Sequence, residues 1–430
     1  MSDTSVHGRM RDDWNRRAVE DAHYYTAFGR RGQSEAEFLA SASYVLEKLE
    51  PELARLPATR NRRARRALEI GCGPGRLMPP LSRNFGEIHG VDVSSEMVAL
   101  ARERLAQIPH AHVHLTDGAG LPRFADESFD FIYSYAVFQH IPDREVILDS
   151  LREIRRVLKP GGIFRGQFND RPQSADEAPN TWAGCRFSSG DIRAFTHENE
   201  LDLLDLSGRD TQYLWTTWRK RGTGQAWESL TPLKVRRVTN AVSTEPVVTT
   251  TGRFSAMSVW IEGLPPDCEL NGIEAWLGGR EAMPFYVGSS IYDGVRPQLG
   301  IAMPPGMSAG LHELFIRWKA TNLLRAMVRV LPPPPPLPRV ISVTDAVNIA
   351  SDGPVTCGAV KVVTEEMADP ALFSAFVSGC AVEKQNGFLA DPAPPRHEFD
   401  LTLPAGIEQG AHTLEIRYGH RRFVFSITIG

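Results

Sequence analysis

Three glycines within five residues, in the stretch A-L-E-I-G-C-G-P-G-R-L at 67–77, constrain this chain more than any other feature. Ala67 to Ile70 is an apolar, strand-forming run, and a helical period resumes over Arg76 to Phe85. Gly71, Gly73 and Gly75 make the turn between them, with a backbone that can enter conformations other residues avoid and lie close against a ligand. A strand, glycine turn and helix in this order serve a dinucleotide, a phosphate or some other ligand.

The neighbouring residues narrow that choice. The dinucleotide fingerprint G-x-G-x-x-G uses its third glycine for close helix packing, and Arg76 stands in that position. No Lys-Ser or Lys-Thr follows the glycines, which argues against a P-loop. Two acids accompany the turn: Glu69, two residues before Gly71, and Asp92, 21 residues after it. An acid at the end of the next strand is placed to accept hydrogen bonds from both ribose hydroxyls of an adenosine. S-Adenosylmethionine needs no phosphate cradle, only glycines that admit its methionine part to the backbone.

Strand-like and helix-like runs alternate from 67 to about 220. H-G-V-D-V (89–93) reads as a second strand, and S-S-E-M-V-A-L-A-R-E-R-L (94–105) as a helix with a serine cap and Glu96 in its first turn. A-H-V-H-L-T-D (111–117) and F-D-F-I-Y-S-Y (129–135) read as further strands. The amphipathic run from Arg144 is expected to stay helical up to Pro160 and Gly161. Residues from about 10 to 56 are expected to be helical, from the steps Trp14, Ala18, Ala22, Tyr25 and Phe38, Ala42, Val45, Leu49. The expected fold is therefore α/β, a Rossmann-like, doubly wound, mostly parallel sheet with helices on both faces.

A net charge of -4 argues against a general nucleic-acid or membrane-surface binder. The local exception, Arg60, Arg62, Arg63, Arg65 and Arg66, reads as a solvated approach to the first strand. No apolar run reaches the roughly 18 residues of a membrane span. Cys72, Cys185, Cys268, Cys357 and Cys380 are scattered, with no C-x-x-C. They imply neither a disulfide framework nor a zinc site. With a charged N-terminus, this reads as a cytoplasmic protein.

After about 236 the helical period gives way to short alternating runs, and a repeat appears at a spacing of 100 residues. Gly306/Gly406, Gly310/Gly410, His312/His412, Leu314/Leu414, Ile316/Ile416 and Arg317/Arg417 coincide. The repeat predicts two all-β sandwich modules, 236–330 and 340–430, behind a domain at 1–235. The proline run 331–339 should act as a polyproline spacer between them. The repeated histidine precedes a strand in each copy and reads as a turn feature.

Residues from about 64 to 165 resemble the class I S-adenosylmethionine-dependent methyltransferases of the small-molecule type. E-I-G-C-G-P-G is similar to the first motif of that family, G-V-D-V-S-S-E-M to its ribose-acid segment, and F-D-F-I-Y-S-Y-A-V-F-Q-H-I to its fourth-strand segment. L-R-E-I-R-R-V-L-K-P-G-G-I-F is similar to the run into its fifth strand. The resemblance implies S-adenosylmethionine as cofactor, bound by Glu69, Gly71, Cys72, Gly73, Gly75, Asp92, Val93, Met97, Asp117, Gly118 and Tyr135. Within that set, Met97 would pack on the adenine, Asp117 would meet its exocyclic amine and Tyr135 would line the pocket floor. Ordinary core packing equally explains Met97 and Tyr135. The modules resemble bacterial immunoglobulin-like repeats.

The expected reaction is methyl transfer by in-line displacement to a small-molecule or glycan acceptor, with a hydroxyl favoured. Proximity and orientation are the main contribution of the protein. His140 is the candidate general base, because its unperturbed pKa suits that role. The N-terminal helical region, with Trp14, Tyr24 and Tyr25, is expected to close over the pocket, and Gln139, Trp182 and Arg186 to face the acceptor. Asn169-Asp170 is a weak candidate for a metal, and no metal is expected. The modules would position substrate or drive homo-oligomer formation. The alternative is a catalytically inactive, cofactor-binding scaffold that uses its modules for interaction.

Overall fold

The computed structural model describes residues 5–27, 31–57, 61–172, 179–222, 233–252, 254–264, 268–289, 297–318, 322–333, 337–346, 353–367, 369–392 and 395–430. Residues 334–336 of the proline run and 173–178 of the stretch before Trp182 lie outside them. The expected strands form as β1 (Arg66–Ile70), β2 (Glu87–Asp92), β3 (Ala111–Leu115), β4 (Phe129–Ser134) and β5 (Leu158–Phe168). They pair in parallel in the order β3-β2-β1-β4-β5. Then β7 (Leu214–Lys220) and β6 (Leu201–Ser207) add antiparallel strands beyond β5. The order reverses between β1 and β4, which opens a ligand crevice at their C-terminal ends.

Local chemistry explains the flanking helices. Ser94 Oγ accepts from Met97 N–H at 3.2 Å and starts Ser95–Arg104. The helix Arg144–Val157 buries Ile147, Leu151, Ile154 and Val157, one face at helical spacing. It stops three residues before the expected Pro160. Leu158 already pairs with Phe129 in β5, and the register slips before Ile163 pairs with Phe131. Gly161, at φ +75°, supplies the left-handed residue that this slip needs. Pro160 and Gly161 thus mark a bulge inside a strand.

The chain forms two compact units, Met1–Glu20 with Ser43–Pro333, and Asp21–Ala42 with Pro334–Gly430. The division falls at Asp21, whose non-helical φ of -169° interrupts the helical segment Val6–Ala27.

Nine strands of the first unit lie beyond residue 233: β8 (Lys234–Asn240), β9 (Val247–Thr249), β10 (Ala256–Glu262), β11 (Ile273–Leu277), β12 (Arg280–Ala282), β13 (Pro284–Ser289), β14 (Pro297–Ala302), β15 (Gly310–Trp318) and β16 (Asn322–Leu331). One sheet runs β12-β11-β15-β16-β9. The other, β13-β14-β10-β8, is not closed at its edge: β13 pairs antiparallel with β6, Tyr286 opposite Asp205. A single 11-stranded sheet results. Hydrogen bonding therefore crosses the expected 235/236 boundary, because sequence texture changes there and the sheet does not.

In the second unit, seven strands follow in the order β17-β18-β21-β20-β19-β22-β23. They are β17 (Arg339–Asp345), β18 (Ala359–Glu365), β19 (Phe373–Val377), β20 (Cys380–Pro392), β21 (Pro395–Thr402), β22 (Gly410–Tyr418) and β23 (Arg421–Ile429). Val360, Val362, Phe399 and Leu401 share one core with Phe373, Leu414, Ile416 and Ile427. The strand order repeats that of 234–331, with β20 standing for β12 and β13 together. The 100-residue repeat is a structural repeat. His312 Nε2 bonds Ser308 O at 2.9 Å and His412 Nε2 bonds Glu408 O at 2.8 Å, so each histidine pins the turn before its strand.

Candidate functional site

The glycine turn sits at the C-terminal end of β1 with Gly71, Gly73 and Gly75 all at positive φ (+68°, +50° and +80°). A Cβ on Gly71 would lie 2.2 Å from Val137 Cγ2, so no side chain fits between the turn and the segment after β4. Asp92, half-buried at the end of β2, ties the site together. Its Oδ2 accepts from Gly73 N–H at 2.8 Å and its Oδ1 from Ser94 N–H at 2.9 Å. Burial raises its pKa, and those backbone donors pull it back down.

Glu69 is buried beneath the turn and accepts from Tyr133 OH at 2.9 Å. Burial pushes its pKa up to about 8, against the opposing effects of Tyr133 and Arg76. Arg76 is buried as well, its guanidinium 5.9 Å from the ring centroid of Tyr135, which stacks on Trp215. Cys72 and Met97 are buried beside the turn and in the first turn of its neighbouring helix. Gly118 follows β3 with its open side toward Val93 Cγ1 (3.1 Å) and His7 Cδ2 (3.3 Å). Asp117 is exposed and accepts from Ala119 N–H at 2.9 Å. A glycine cradle, a carboxylate at the end of β2 and a buried acid and base under the turn fit a ligand carrying hydroxyl donors and charged ends of both signs.

His140 is brought to this crevice, but not as a free base. Gln167 Oε1 accepts from Ala136 N–H at 3.0 Å, which turns its amide group toward Gln139 Oε1. Gln139 then directs its own amide nitrogen to His140 Nε2 at 3.1 Å. His140 Nε2 is therefore the acceptor, and Nδ1–H donates to Trp182 O. Both ring nitrogens are engaged, and burial lowers the pKa to about 4. Desolvation and this hydrogen-bond chain keep the ring neutral, with both nitrogens hydrogen-bonded. Ala136, at φ +55°, holds the left-handed conformation that aims its N–H into the chain.

The N-terminal helix lies across the crevice. Asn15 Oδ1 accepts from Ser94 Oγ at 2.8 Å. Trp14 meets the His140 ring edge-on at 5.4 Å. Arg17 is buried between Trp14 (4.9 Å) and Trp182 (5.3 Å) and bonds Thr181 O and Oγ1, each at 3.2 Å. Trp182 is 40% exposed. Tyr24 and Tyr25 belong to the second unit, where they cluster with Arg31. Arg186 is engaged by Asp170 at 2.8 Å. Asp170 also accepts from Ser189 N–H and Asp210 N–H, so it acts as a loop fastener. Among the described residues no group of three or more potential ligands is placed to hold a metal.

Asn15, Arg17, Thr181 and Gln167 escaped sequence reasoning. Only Gln167 gave a signal, as an amide inside the apolar run F-R-G-Q-F.

Residues 68–165 match a methyltransferase domain. A Caenorhabditis elegans phosphoethanolamine N-methyltransferase is 41% identical over 98 residues, 22% of each chain. A Streptomyces halstedii methyltransferase, GfsG, is 31% identical over 155 residues, covering 33% of this chain and 54% of the relative. A demethylmenaquinone methyltransferase of Staphylococcus aureus is 34% identical over 105 residues, 24% of this chain and 42% of the relative. The chain thus spans between about a fifth and about half of the length of these relatives. A Synechocystis magnesium protoporphyrin IX methyltransferase solved with S-adenosylmethionine is 17% identical over 51% of this chain and 99% of that chain, at a TM-score of 0.38. All five cysteines are free thiols, and no helix among the described residues is long and apolar enough to cross a membrane.

Proposed function

We propose that this chain is an S-adenosylmethionine-dependent methyltransferase acting on a small-molecule acceptor. One observation carries the reading: Asp92 bridges Gly73 N–H and Ser94 N–H at the mouth of the glycine turn, within the segment that matches a methyltransferase domain. When bound, S-adenosylmethionine supplies an electrophilic methyl group together with its own leaving group. Gly71, Gly73 and Gly75 would hold its methionine part, Asp92 would accept from its ribose hydroxyls, and Met97, Val93 and Gly118 would border its adenine. The N-terminal helix, latched by Asn15 and Arg17, excludes water over the crevice. Orientation of the acceptor is the main catalytic contribution of the protein.

His140 belongs to this reading as a positioning group: with Gln139 and Gln167 it fixes the carbonyl of Trp182 at the crevice wall. A hydroxyl or glycan acceptor then loses its proton to a base other than His140, or arrives already ionised. The two all-β modules are immunoglobulin-like sandwiches that present the acceptor or a second copy of the chain.

Calorimetry with S-adenosylmethionine tests the cofactor, and a screen of acceptor classes with labelled methyl tests the reaction. Asp92→Ala removes two charge-assisted hydrogen bonds of about 1.5–3 kcal/mol each. It should weaken cofactor binding at least tenfold, by roughly 1.4 kcal/mol or more, with the fold retained. Unchanged affinity would place the adenosine elsewhere.

A further inference from the structure

We infer that Arg165 is a positioning residue for the candidate site: it fixes the Trp215–Tyr135 stack, and the first all-β module fixes Arg165. The inference rests on the cofactor reading above and gives the module at 234–331 a part in it.

Strand register brings these residues together, since side chains directly opposite one another on neighbouring strands share a face of the sheet. Tyr133 of β4 stands opposite Glu69 of β1 and Arg165 of β5. Arg165 stands opposite Thr217 of β7, Thr217 opposite Asp205 of β6, and Asp205 opposite Tyr286 of β13. A row of polar side chains thus crosses six strands, from beneath the glycine turn to the first module. Arg165 is its pivot, and it is only 5% exposed. Its Nη1 donates to Asp205 and to Thr217 Oγ1 at 2.8 Å, and faces Glu52 at 3.8 Å. Its guanidinium lies 4.8 Å from the ring centroid of Trp215, which stacks on Tyr135 at 5.7 Å.

The module reaches both acids that face Arg165. Tyr286 stands opposite Asp205, and its ring lies under Arg55, the partner of Glu52. Arg55 also donates to Val287 O, which ties it to β13. A buried ion network is a costly way to join strands, and well-packed apolar residues often serve as well. What this network adds is placement: an acid on each side restricts the guanidinium to its station over the indole. Cation–π attraction then holds the indole in turn. Tyr135 passes the constraint on, because its ring is 5.9 Å from the guanidinium of Arg76 beside the glycine turn.

A double-mutant cycle on the full chain, read by calorimetry with S-adenosylhomocysteine, separates positioning from mere stability. Arg165→Met, similar in length and uncharged, should weaken the ligand by about threefold to thirtyfold, the range of coupling between packed neighbours. Tyr135→Leu should weaken it as well. The double variant should bind within about twofold of Tyr135→Leu alone, because Arg165 acts through that ring. Arg165→Lys keeps the cation and should recover part of the loss. Tyr286→Leu alters only the module, and should reproduce the loss in smaller measure. It also carries the cycle with Tyr135→Leu if Arg165→Met does not fold. Unchanged affinity beside a lowered melting temperature, or single losses that multiply in the double variant, would overturn the inference and leave the cofactor reading standing. Failure of the unaltered protein to bind S-adenosylhomocysteine would remove both.

Discussion

The chain contains the same all-β module twice, and the two copies have been put to different uses. Both place their strands in one order, and both pin the turn before an equivalent strand with a histidine. In 234–331 the long strand is broken at Met283 into β12 and β13, and β13 lies against β6. In 339–429 the equivalent β20 runs unbroken for 13 residues, and among the described residues it pairs with β19 and β21. A sheet edge is a row of unpaired backbone donors and acceptors. One copy satisfies it by continuing the sheet of β1–β7.

Side chains explain why that continuation is stable. Arg55 donates to Val287 O at 2.9 Å and lies over Tyr286. Arg193 donates to Pro284 O at 2.7 Å, and Asn271 to Thr196 Oγ1 at 3.0 Å. Under this seam runs a buried charge cluster: Glu52 pairs with Arg55 at 2.6 Å, and Arg165 with Asp205. Arg165 lies over Trp215, which stacks on Tyr135 in the candidate site. Packed side chains therefore link the first module to Tyr135 and, through it, to Arg76 beside the glycine turn.

The largest expected effect comes from cutting between the copies. A chain ending after Pro333 should stay soluble and bind S-adenosylhomocysteine within a few-fold of the full chain. One ending after residue 235 exposes the β6 edge, takes Val287 O from Arg55 and Pro284 O and Asn271 from Arg193, and removes Tyr286 from opposite Asp205. It should lose cooperative thermal unfolding. A well-folded 1–235 fragment with full affinity would show the two copies to be equally dispensable.

A smaller break targets the seam alone. Arg55→Ala leaves buried Glu52 facing Arg165 at 3.8 Å and Val287 O without the Arg55 donor. Removing one partner of a buried pair typically costs about 3–5 kcal/mol. The melting temperature should fall clearly, measured by calorimetry. In the second module, Arg422→Ala removes an exposed arginine from half-buried Glu415, which still pairs with Arg417, so the melting temperature should move far less.

How much of this was legible follows from how local each feature is. The glycine turn, Asp92 and the serine cap at Ser94 announce themselves because residue type and short spacing determine their geometry. The repeat was visible for the same reason, as identical residues at a fixed offset. The seam was not, since β13 pairs with β6 across some 80 residues and its sequence resembles any edge strand. Asn15 and Arg17 reach partners 79 and 164 residues away. His140 was legible as a residue in the right place. Its state was not, because that depends on Gln167, Gln139 and the strained Ala136.

The smallest effect should come from the paired histidines, and it is the sharpest comparison of the copies. His312 and His412 occupy equivalent positions and each closes a turn onto the carbonyl four residues earlier. Each bond contributes about 0.5–1.5 kcal/mol net. His312→Ala and His412→Ala should therefore destabilise by similar small amounts in urea unfolding, and neither should change cofactor affinity. The first copy continues the sheet of β1–β7 and, among the described residues, the second forms a sheet of its own, so equal losses would show that these turns act locally in both settings. A loss of binding in His312→Ala alone would mean that strain in the first module reaches the pocket through β13, Asp205 and Arg165.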